Sequence, residues 1–543
     1  MKSLIISTII TFYAVMLGYG ADTVKISQPK IPILIERNDN ILFLMRTDLD
    51  HKASFDRVKI VFDKPTNIKQ IEEIKLFYAG TSVLGKKGVV MAPVEYISSY
   101  DTGNTLSANK SYSVLITSKK PINNSVDLEC SIPINKGINF FWVSIKMKKD
   151  CGLLEKIVAK IDNIEISGED AVIEGKQSEI VRRVAVGVRQ AGNDGSTAYR
   201  IPALVKAKDG TLIAGYDVRY NTSGDLQGDI DVGISRSHDN GRTWDKMQII
   251  MDAGEYGGLP QSQNGIGDPA LLVDKNTGTI WSIAAWLHGK GNVTAWFNSQ
   301  QGMSVDSTAQ LMLTKSTDNG KTWSKMMNIT SQVKDPSWYF LLQGPGMGIT
   351  MQDGTLVFAI QFIDSTKVPN AGIMYSKDHG ATWKIENFAR TNTTESQVVE
   401  VEKGVLMLNM RDNRGGSRAV STTSDLGKTW QEHSSNRSAL QETVCMASLI
   451  KIEAKDNYLN RDILLFSNPN NNTRERKNMT IKASLDGGKT WKDANSLLLD
   501  NGEAWGYSCI TQVDKDHIGI LYESSVAQMT YQLIPLKDII IEL

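Results

Sequence analysis

Apolar and polar residues alternate along several short stretches in the first third of the chain. The clearest stretches cover residues 41–46, 57–62, 113–117 and 140–147, and turn-forming residues such as Thr102-Gly103-Asn104 separate them. A period of two puts successive side chains on opposite faces of a strand, so that one face can pack into a core. The pattern predicts an all-β sandwich over residues 21–185, and we find no catalytic constellation in it.

Four aromatic residues of this first domain are either core residues or part of a carbohydrate-binding surface. They are Tyr96, Tyr100, Phe141 and Trp142. We interpret each as a core residue and keep carbohydrate binding as the alternative.

Beyond residue 190 the pattern becomes a repeat. Five segments fit Ser/Thr-x-Asp-x-Gly-x-Thr-Trp: residues 237–244, 316–323, 376–383, 423–430 and 484–491. In such a turn the aspartate accepts local backbone N–H bonds, the glycine supplies a positive φ, and the tryptophan packs against its own blade. Five turns at blade-sized intervals predict a β-propeller over residues 190–543, with six blades of which at least one lacks the turn. We call this turn the Asp box and interpret its aspartates as structural.

Upstream of the first Asp box lies Tyr199-Arg200-Ile201-Pro202. Residues 203–205 predict a buried strand that starts at Pro202, where no ladder hydrogen bond is lost. This interpretation places Arg200 at the mouth of a strand, with its guanidinium directed out of the core. An isolated arginine of this kind is usually a surface residue, and its meaning depends on the rest of the chain.

The composition excludes several classes of protein. Sixty Lys and Arg residues balance sixty Asp and Glu residues, which gives no basis for binding nucleic acid. The six histidines form no cluster with ligand spacing, so we expect neither a metal site nor a cofactor. Cys130, Cys151, Cys445 and Cys509 allow three complete pairings, and both a Cys130–Cys151 bond and four free thiols remain open.

The N-terminus has the pattern of a secretory signal. Lys2 precedes an apolar stretch over residues 4–17, and Gly18-Tyr19-Gly20-Ala21 supplies small residues for cleavage near Gly20. The stretch is too short to span a bilayer comfortably. We therefore expect residues 1–20 to be removed from an exported, monomeric protein, periplasmic or extracellular, that does not insert into a membrane.

The Asp boxes together with Tyr199-Arg200-Ile201-Pro202 resemble the bacterial exo-α-sialidases, or neuraminidases. The resemblance covers residues 190–543, and a signal followed by a β-sandwich resembles the secreted enzymes of Bacteroides-like bacteria. It implies a hydrolase of sialylated glycans whose site lies on the axis of a six-bladed propeller, with the Asp boxes at the periphery.

Sialic acid carries a carboxylate on its anomeric carbon, and a planar guanidinium binds a carboxylate through two parallel hydrogen bonds. The resemblance implies three arginines for this task, which correspond to Arg200, Arg411 and Arg476. Arg474 is the less favoured choice for the third.

Two further arginines lie close to these in the sequence. We expect Arg414 and Arg418 to be surface residues.

The resemblance also implies a tyrosine nucleophile. The segment ending in Trp505-Gly506-Tyr507 makes Tyr507 the candidate, and Thr393-Thr394-Glu395 makes Glu395 its base, with Glu400 as the fallback. A carboxylate nucleophile would be repelled by the substrate carboxylate with about 4 kcal/mol at about 4 Å. A neutral phenol avoids this repulsion, but with a pKa near ~10 it needs a base.

The remaining roles are also taken from the resemblance. Asp225, in a loop after Arg200, corresponds to the general acid and base, with Asp229 and Asp231 as nearby alternatives. Three further residues complete the expected site, and Trp286 and Trp296 are either N-acetyl-pocket or core residues. They are Arg219 near the C4 hydroxyl, Asp268 on the other side of the pocket, and Glu523 in support of Arg200.

Two alternatives share part of this set. A transglycosylating sialidase, including an intramolecular one, would use every residue named. A non-catalytic sialic-acid lectin would keep the arginines and lose Tyr507, Glu395 and Asp225, all of which are present. Because no site residue precedes Arg200, we also expect residues 188–543 to retain hydrolysis.

Overall fold

The computed structural model describes residues 21–81, 83–84, 90–91, 113–175, 177, 179–287 and 294–543. The predicted signal, Tyr96, Tyr100 and the turn at Thr102 lie outside these residues. In the described part of the chain no helix is long and apolar enough to cross a bilayer. Helix there is limited to single turns: Ile68–Gln70, Asn193–Gly195, Gln261–Gln263, Ala295–Asn298, Thr330–Val333, Ala454–Asp456, Asp493–Asn495 and Leu536–Asp538.

Two sheets form the sandwich at the N-terminal end of the described chain. Phe55 of one sheet stacks on Phe141 of the other with ring centroids 4.0 Å apart. Phe141 and Trp142 are both buried, as expected for core residues. In spatial order the first sheet contains Val172–Glu174, Thr23–Ser27, Asn40–Leu49, Gly137–Met147, Ile71–Thr81 and Val114–Lys119. The second contains Ser125–Ile134, Ala53–Asp63 and Lys156–Ile166, with Glu169–Asp170 at its side.

Six four-stranded blades follow. Their innermost strands contact one another around a central channel. The blades, each from the inner to the outer strand, are Ala198–Lys206, Leu212–Arg219, Ile230–Ser237, Gln248–Met251; Ile266–Val273, Ile280–Trp286, Gln310–Ser316, Met327–Asn328; Phe340–Gln343, Leu356–Ile363, Pro369–Ser376, Lys384–Ile385; Thr393–Glu402, Val405–Asp412, Ala419–Thr423, Gln431–Glu432; Ser448–Ile452, Ile463–Pro469, Lys477–Ser484, Ser496–Glu503; and Ser508–Gln512, His517–Tyr522, Met529–Pro535, Arg182–Arg189. Four short strands join these sheets: Ile33–Leu34, Gly346–Met347, Ile349–Thr350 and Arg390–Thr391. Two separate two-stranded sheets pair Val83–Leu84 with Val90–Met91 and Gly416–Ser417 with Gln441–Glu442. The fold is thus a six-bladed β-propeller preceded by a β-sandwich.

The sixth blade takes its outer strand from the N-terminal side of the propeller. Arg182–Arg189 pairs with Met529–Pro535 on one side and with Lys156–Ile166 of the sandwich on the other, so that one sheet runs through both domains. The boundary expected between residues 185 and 190 falls inside this strand. Because the strand comes from elsewhere in the chain, the sixth blade has no hairpin from its third to its fourth strand, and this blade is the one without an Asp box.

The five Asp boxes connect the third and fourth strands of the other blades. In the first, Asp239 accepts bonds from Thr243 N at 2.9 Å and Thr243 Oγ1 at 2.7 Å, while Ser237 Oγ accepts from Gly241 N at 2.9 Å. These bonds lower the pKa of the box carboxyls, to about 2 for Asp318. Each carboxylate is therefore engaged by its own turn.

The box tryptophans pack on more than their own blade. Trp491 lies against Phe466 of its own blade, whereas Trp244 lies edge-on to Tyr531 of the preceding one, with ring centroids 5.3 Å apart. A Cβ on Gly241 would come within 2.0 Å of the Tyr531 ring, so only glycine fits this contact. The boxes thus join neighbouring blades.

The cysteines are all free. Cys130 is half-buried, and the other three are fully buried. Burial raises the pKa of the Cys445 thiol to about 11.

Candidate active site

The expected site residues gather at one end of the central channel. Three inner strands contain a β-bulge there, between Arg200 and Ala203, between Gly267 and Ala270, and between Thr393 and Ser396. A bulge turns a side chain away from its regular strand direction. A regular strand would bury some of these side chains within the blade. The bulges therefore direct them toward the channel instead.

The first bulge changes the interpretation of Pro202. The strand begins at Ala198, not at Pro202, and the proline lies within the bulge, where no ladder donor is required. Arg200 is therefore inside the strand and only 7% exposed. Ile201 has a φ of +61°, which is rare for a β-branched residue and which the surrounding contacts hold in place.

Tyr507 and Glu395 form the centre of the cluster. The Tyr507 hydroxyl donates a hydrogen bond to Glu395 Oε1. Arg411 Nη1 donates to Glu395 Oε2 at 2.5 Å and to the Tyr507 oxygen at 3.2 Å. Burial, and then the charge of Glu395, raise the pKa of the Tyr507 phenol well above its ordinary value. The phenol is therefore neutral, and a carboxylate is in place to take its proton.

Arg200 is held by Glu523, as expected. Arg200 Nε donates to Glu523 Oε1 at 2.6 Å, and the same carboxylate accepts from Ile201 N at 3.0 Å and Tyr507 N at 2.9 Å. The guanidinium also lies over the Trp505 ring, 4.4 Å from its centroid. One buried carboxylate thus fixes both the arginine and the tyrosine strand.

Arg476 completes the expected arginine triad. It donates to Trp505 O and Val444 O, each at 3.1 Å, and lies 5.7 Å from the Tyr507 ring centroid. Arg474 is exposed and donates to Asn413 O at 3.5 Å, which favours Arg476 over it. Because both of these acceptors are neutral carbonyls, the positive charge of Arg476 remains available to an anion.

Asp225 lies at the rim of the cluster. Its side chain is 69% exposed, and Oδ1 lies 2.9 Å from Arg219 Nη1 and 3.8 Å from Arg200 Nη1. Partial desolvation raises the pKa of the Asp225 carboxyl, but Arg219 and Arg200 together lower it by more, so that it lies below its ordinary value. Asp231 is instead buried within the first blade, where burial and the charge of Asp252 raise its pKa to about 7.

Arg219 and Asp268 are linked through a residue that the sequence analysis missed. Arg219 Nη2 donates to Asp217 Oδ2 at 2.8 Å, and Asp217 Oδ1 accepts from Asp268 N at 2.8 Å. Burial, and then the charges of Asp217 and Asp225, raise the pKa of the Asp268 carboxyl well above its ordinary value. Asp217 and Arg219 are two residues apart on one strand and so share a face, which is a signal that the sequence contains.

Several alternatives lie away from the cluster. Glu400 is at the opposite end of the channel, on a cavity of about 230 Å³, and accepts from Gln352 N and Gly404 N. Trp286 is 8% exposed and belongs to the core, and Trp296 lies edge-on to Phe340.

The expectation for Arg418 is wrong. Arg418 is 1% exposed and donates to Glu442 Oε2 at 2.7 Å. The guanidinium can be buried because Glu442, 24 residues further along the chain, balances its charge. Arg414 is exposed, as expected.

Over the described ranges, no group of His, Cys, Asp and Glu side chains is arranged to hold a metal ion.

Comparisons with known proteins identify the family of the chain. Residues 21–170 match the family model of the N-terminal domain of BNR-repeat neuraminidase, and residues 201–522 match the BNR repeat-like domain. The chain is 56% identical to a sialidase of Bacteroides fragilis (strain YCH46), over 99% of each chain. It is 31% identical to a sialidase of Micromonospora viridifaciens, over 61% of this chain and 50% of that one.

A solved structure, the Hadza microbial sialidase Hz136, has 54% sequence identity and a TM-score of 0.90, covering 95% of this chain and 100% of that chain. The protein described here is thus a glycoside hydrolase built on a β-propeller. The chain belongs to the sialidase family.

Proposed function

We propose that the protein is a retaining exo-α-sialidase that releases terminal sialic acid from glycoproteins, glycolipids and oligosaccharides through a tyrosyl intermediate. The observation that carries the proposal is the hydrogen bond from the buried Tyr507 phenol to Glu395, with Arg411 bound to both groups. A tyrosine nucleophile is a known exception to the two-carboxylate scheme of glycoside hydrolysis.

In the first step Arg200, Arg411 and Arg476 hold the substrate carboxylate. The Tyr507 oxygen attacks the anomeric carbon as its proton moves to Glu395, and the bond to the leaving oxygen breaks. Asp225 donates a proton to that oxygen.

In the second step Asp225 takes a proton from water. The water oxygen attacks the anomeric carbon, and the Tyr507 oxygen leaves and recovers its proton from Glu395. Two displacements return the anomeric configuration to that of the substrate.

The charge balance of the site supports Asp225 as the acid. In the free protein Arg219 and Arg200 keep its pKa low. A bound carboxylate would neutralise the charge of Arg200, and the pKa of Asp225 would then rise toward the value that a proton donor needs. Asp268, whose pKa is raised, would be a neutral donor to a substrate hydroxyl on the other side of the pocket.

Sialyllactose with ¹H NMR detection tests the proposal. We expect the α-anomer of N-acetylneuraminic acid as the first product, with the rate unchanged by EDTA. An anhydro-sialic acid product would instead indicate intramolecular transfer, and transfer to added lactose would indicate a transglycosylase. Unchanged sialyllactose at high protein concentration would leave a sialic-acid lectin as the remaining function.

We further propose that the protein is exported to the periplasm or the extracellular space. Lys2, the apolar residues 4–17 and the small residues up to Ala21 support this. N-terminal sequencing of the protein from fractionated cells tests it: a mature chain that begins at Met1 in the cytoplasmic fraction would contradict export.

A further inference from the structure

Two buried carboxylates on different sides of the site have the same bonding pattern. Glu523 joins the strands of Arg200 and Tyr507 through two backbone N–H groups. Glu442, which is 2% exposed, does the same elsewhere: Oε2 accepts from Asp412 N at 3.0 Å, and Oε1 accepts from Cys445 N at 3.0 Å.

The bonds of Glu442 end beside the other two arginines of the triad. Asp412 directly follows Arg411. Cys445 directly follows Val444, whose carbonyl oxygen accepts from Arg476 Nη2 at 3.1 Å. A single carboxylate therefore fixes the backbone next to Arg411 and the acceptor of Arg476.

The Val444 backbone needs such support. Its φ is +58°, in the left-handed region that β-branched residues avoid. This conformation directs the Val444 carbonyl at Arg476, and the bond from Cys445 N to Glu442 lies at the next residue. Without that bond the segment is free to relax and to withdraw the carbonyl.

Arg418 pairs with Glu442 inside the protein. Its Nη1 donates to Glu442 Oε2 at 2.7 Å and to Cys445 O at 2.8 Å, and its Nε donates to Asn409 Oδ1 at 2.7 Å. Asn409 lies two residues before Arg411 on the same strand and so shares its face. The side chains of Arg418 and Glu442 are both fully buried, so neither can touch a substrate.

We propose that Glu442 and Arg418 are positioning residues that set the separation of Arg411 and Arg476, and with it the grip on the substrate carboxylate. This inference rests on the carboxylate-binding role proposed above for the arginines. It assigns to Glu442 the task that Glu523 has for Arg200.

The test compares two inhibitors on the full mature protein: the unsaturated glycal of sialic acid and the same glycal with a carboxamide in place of its carboxylate. The inhibition constant of the carboxamide divided by that of the carboxylate glycal measures how well the arginines select a carboxylate. Glu442→Gln removes the charge but not the shape, and we expect the ratio to fall about tenfold, the loss of one bond to a charged group. KM for sialyllactose should rise more than kcat falls.

Asp274→Asn is the matched control. Asp274 is also a fully buried carboxylate that fixes a turn, through bonds from Asn276 N and Thr277 Oγ1, but it lies after the end of an inner strand, away from the site. We expect this variant to lose stability while its inhibitor ratio stays that of the wild type.

Arg418→Lys covers the case in which Glu442→Gln does not fold. It keeps the charge opposite Glu442 but cannot reproduce all three bonds of the guanidinium, and the ratio should again fall. Wild-type selectivity in whichever of the two variants folds would overturn the inference. A wild-type protein that does not prefer the carboxylate at all would instead contradict the proposed function.

Discussion

Val186 pairs with Tyr531 across two antiparallel strands, so that the segment just after the sandwich closes the last blade of the propeller. The sandwich continues the same sheet and also covers the adjoining hairpin. Arg37 Nη2 donates to Val526 O at 2.6 Å, three residues beyond Glu523, and Arg182 Nε donates to Ile31 O at 2.9 Å. The first domain is thus part of the scaffold that holds Glu523.

A chain that begins at residue 188 should therefore fail to fold as an active unit. It loses most of the outer strand of the sixth blade and leaves the unpaired edge of Met529–Pro535 exposed. We expect aggregation or non-cooperative thermal unfolding, with a chain beginning at residue 21 as the control. From the sequence alone we expected residues 188–543 to retain hydrolysis. A soluble, fully active 188–543 fragment would support that expectation and contradict the present one.

The fold was predictable wherever its signals are local. An Asp box contains its own donors, acceptors and glycine within eight residues, so the repeat predicts both the turn and its structural aspartate. The closing strand Arg182–Arg189 has no such signal, since its partner Met529–Pro535 lies more than three hundred residues away. From the sequence we placed the domain boundary within this segment and did not identify the sheet that it joins.

Tyr507→Phe should lose most of its turnover, since the variant keeps the ring and removes only the attacking oxygen. Binding of the glycal should be close to that of the wild type, because the arginines remain in place. Inhibition constants and single-turnover rates on sialyllactose measure the two effects separately. Release of the β-anomer first by the wild-type protein would show that the nucleophile is wrongly assigned.

The Asp boxes should make the stability of the protein depend on pH in acid. The bonds from Thr322, together with that from Ser316, hold the folded-state pKa of Asp318 at about 2, and Asp378 and Asp425 also have pKa values of about 2. An unfolded aspartate has a pKa near ~3.9. Since the folded value is the lower one, the stabilisation is complete above about pH 4 and is lost as the pH falls to about 2.

Asp318→Asn should therefore lower Tm at pH 7 and flatten the dependence of Tm on pH between about 4 and 2. Calorimetry across this range measures both effects. Asp493→Asn, at a fully exposed side chain, is the control for a simple change of charge. A slope equal to that of the wild type would mean that the box carboxylate does not contribute to acid stability.

The site was predictable in its reacting groups and less so in their supports. Tyr507, Glu395 and Arg200 stand in segments that resemble a known family, and the structure brings them together. Arg418 was misjudged because nothing near it in the sequence reveals its partner Glu442. Such buried ion pairs join residues that only the tertiary fold places together, and periodicity carries no signal for them.

Asp225→Ala should separate substrates by their leaving groups. A sugar alcohol leaves poorly without a proton, whereas a phenol such as methylumbelliferone leaves with little help. We expect a loss of about 10²-fold or more on sialyllactose, typical of a general acid, and a much smaller loss in forming the intermediate from the aryl sialoside. Because the second step also needs Asp225 as a base, aryl turnover should then be limited by hydrolysis of the intermediate. A pre-steady-state burst of aryl product, measured by stopped-flow fluorescence, is the expected signature. Asp229→Ala is the control from the same loop, and equal losses on both substrates without a burst would assign Asp225 a structural role and move the acid to another residue.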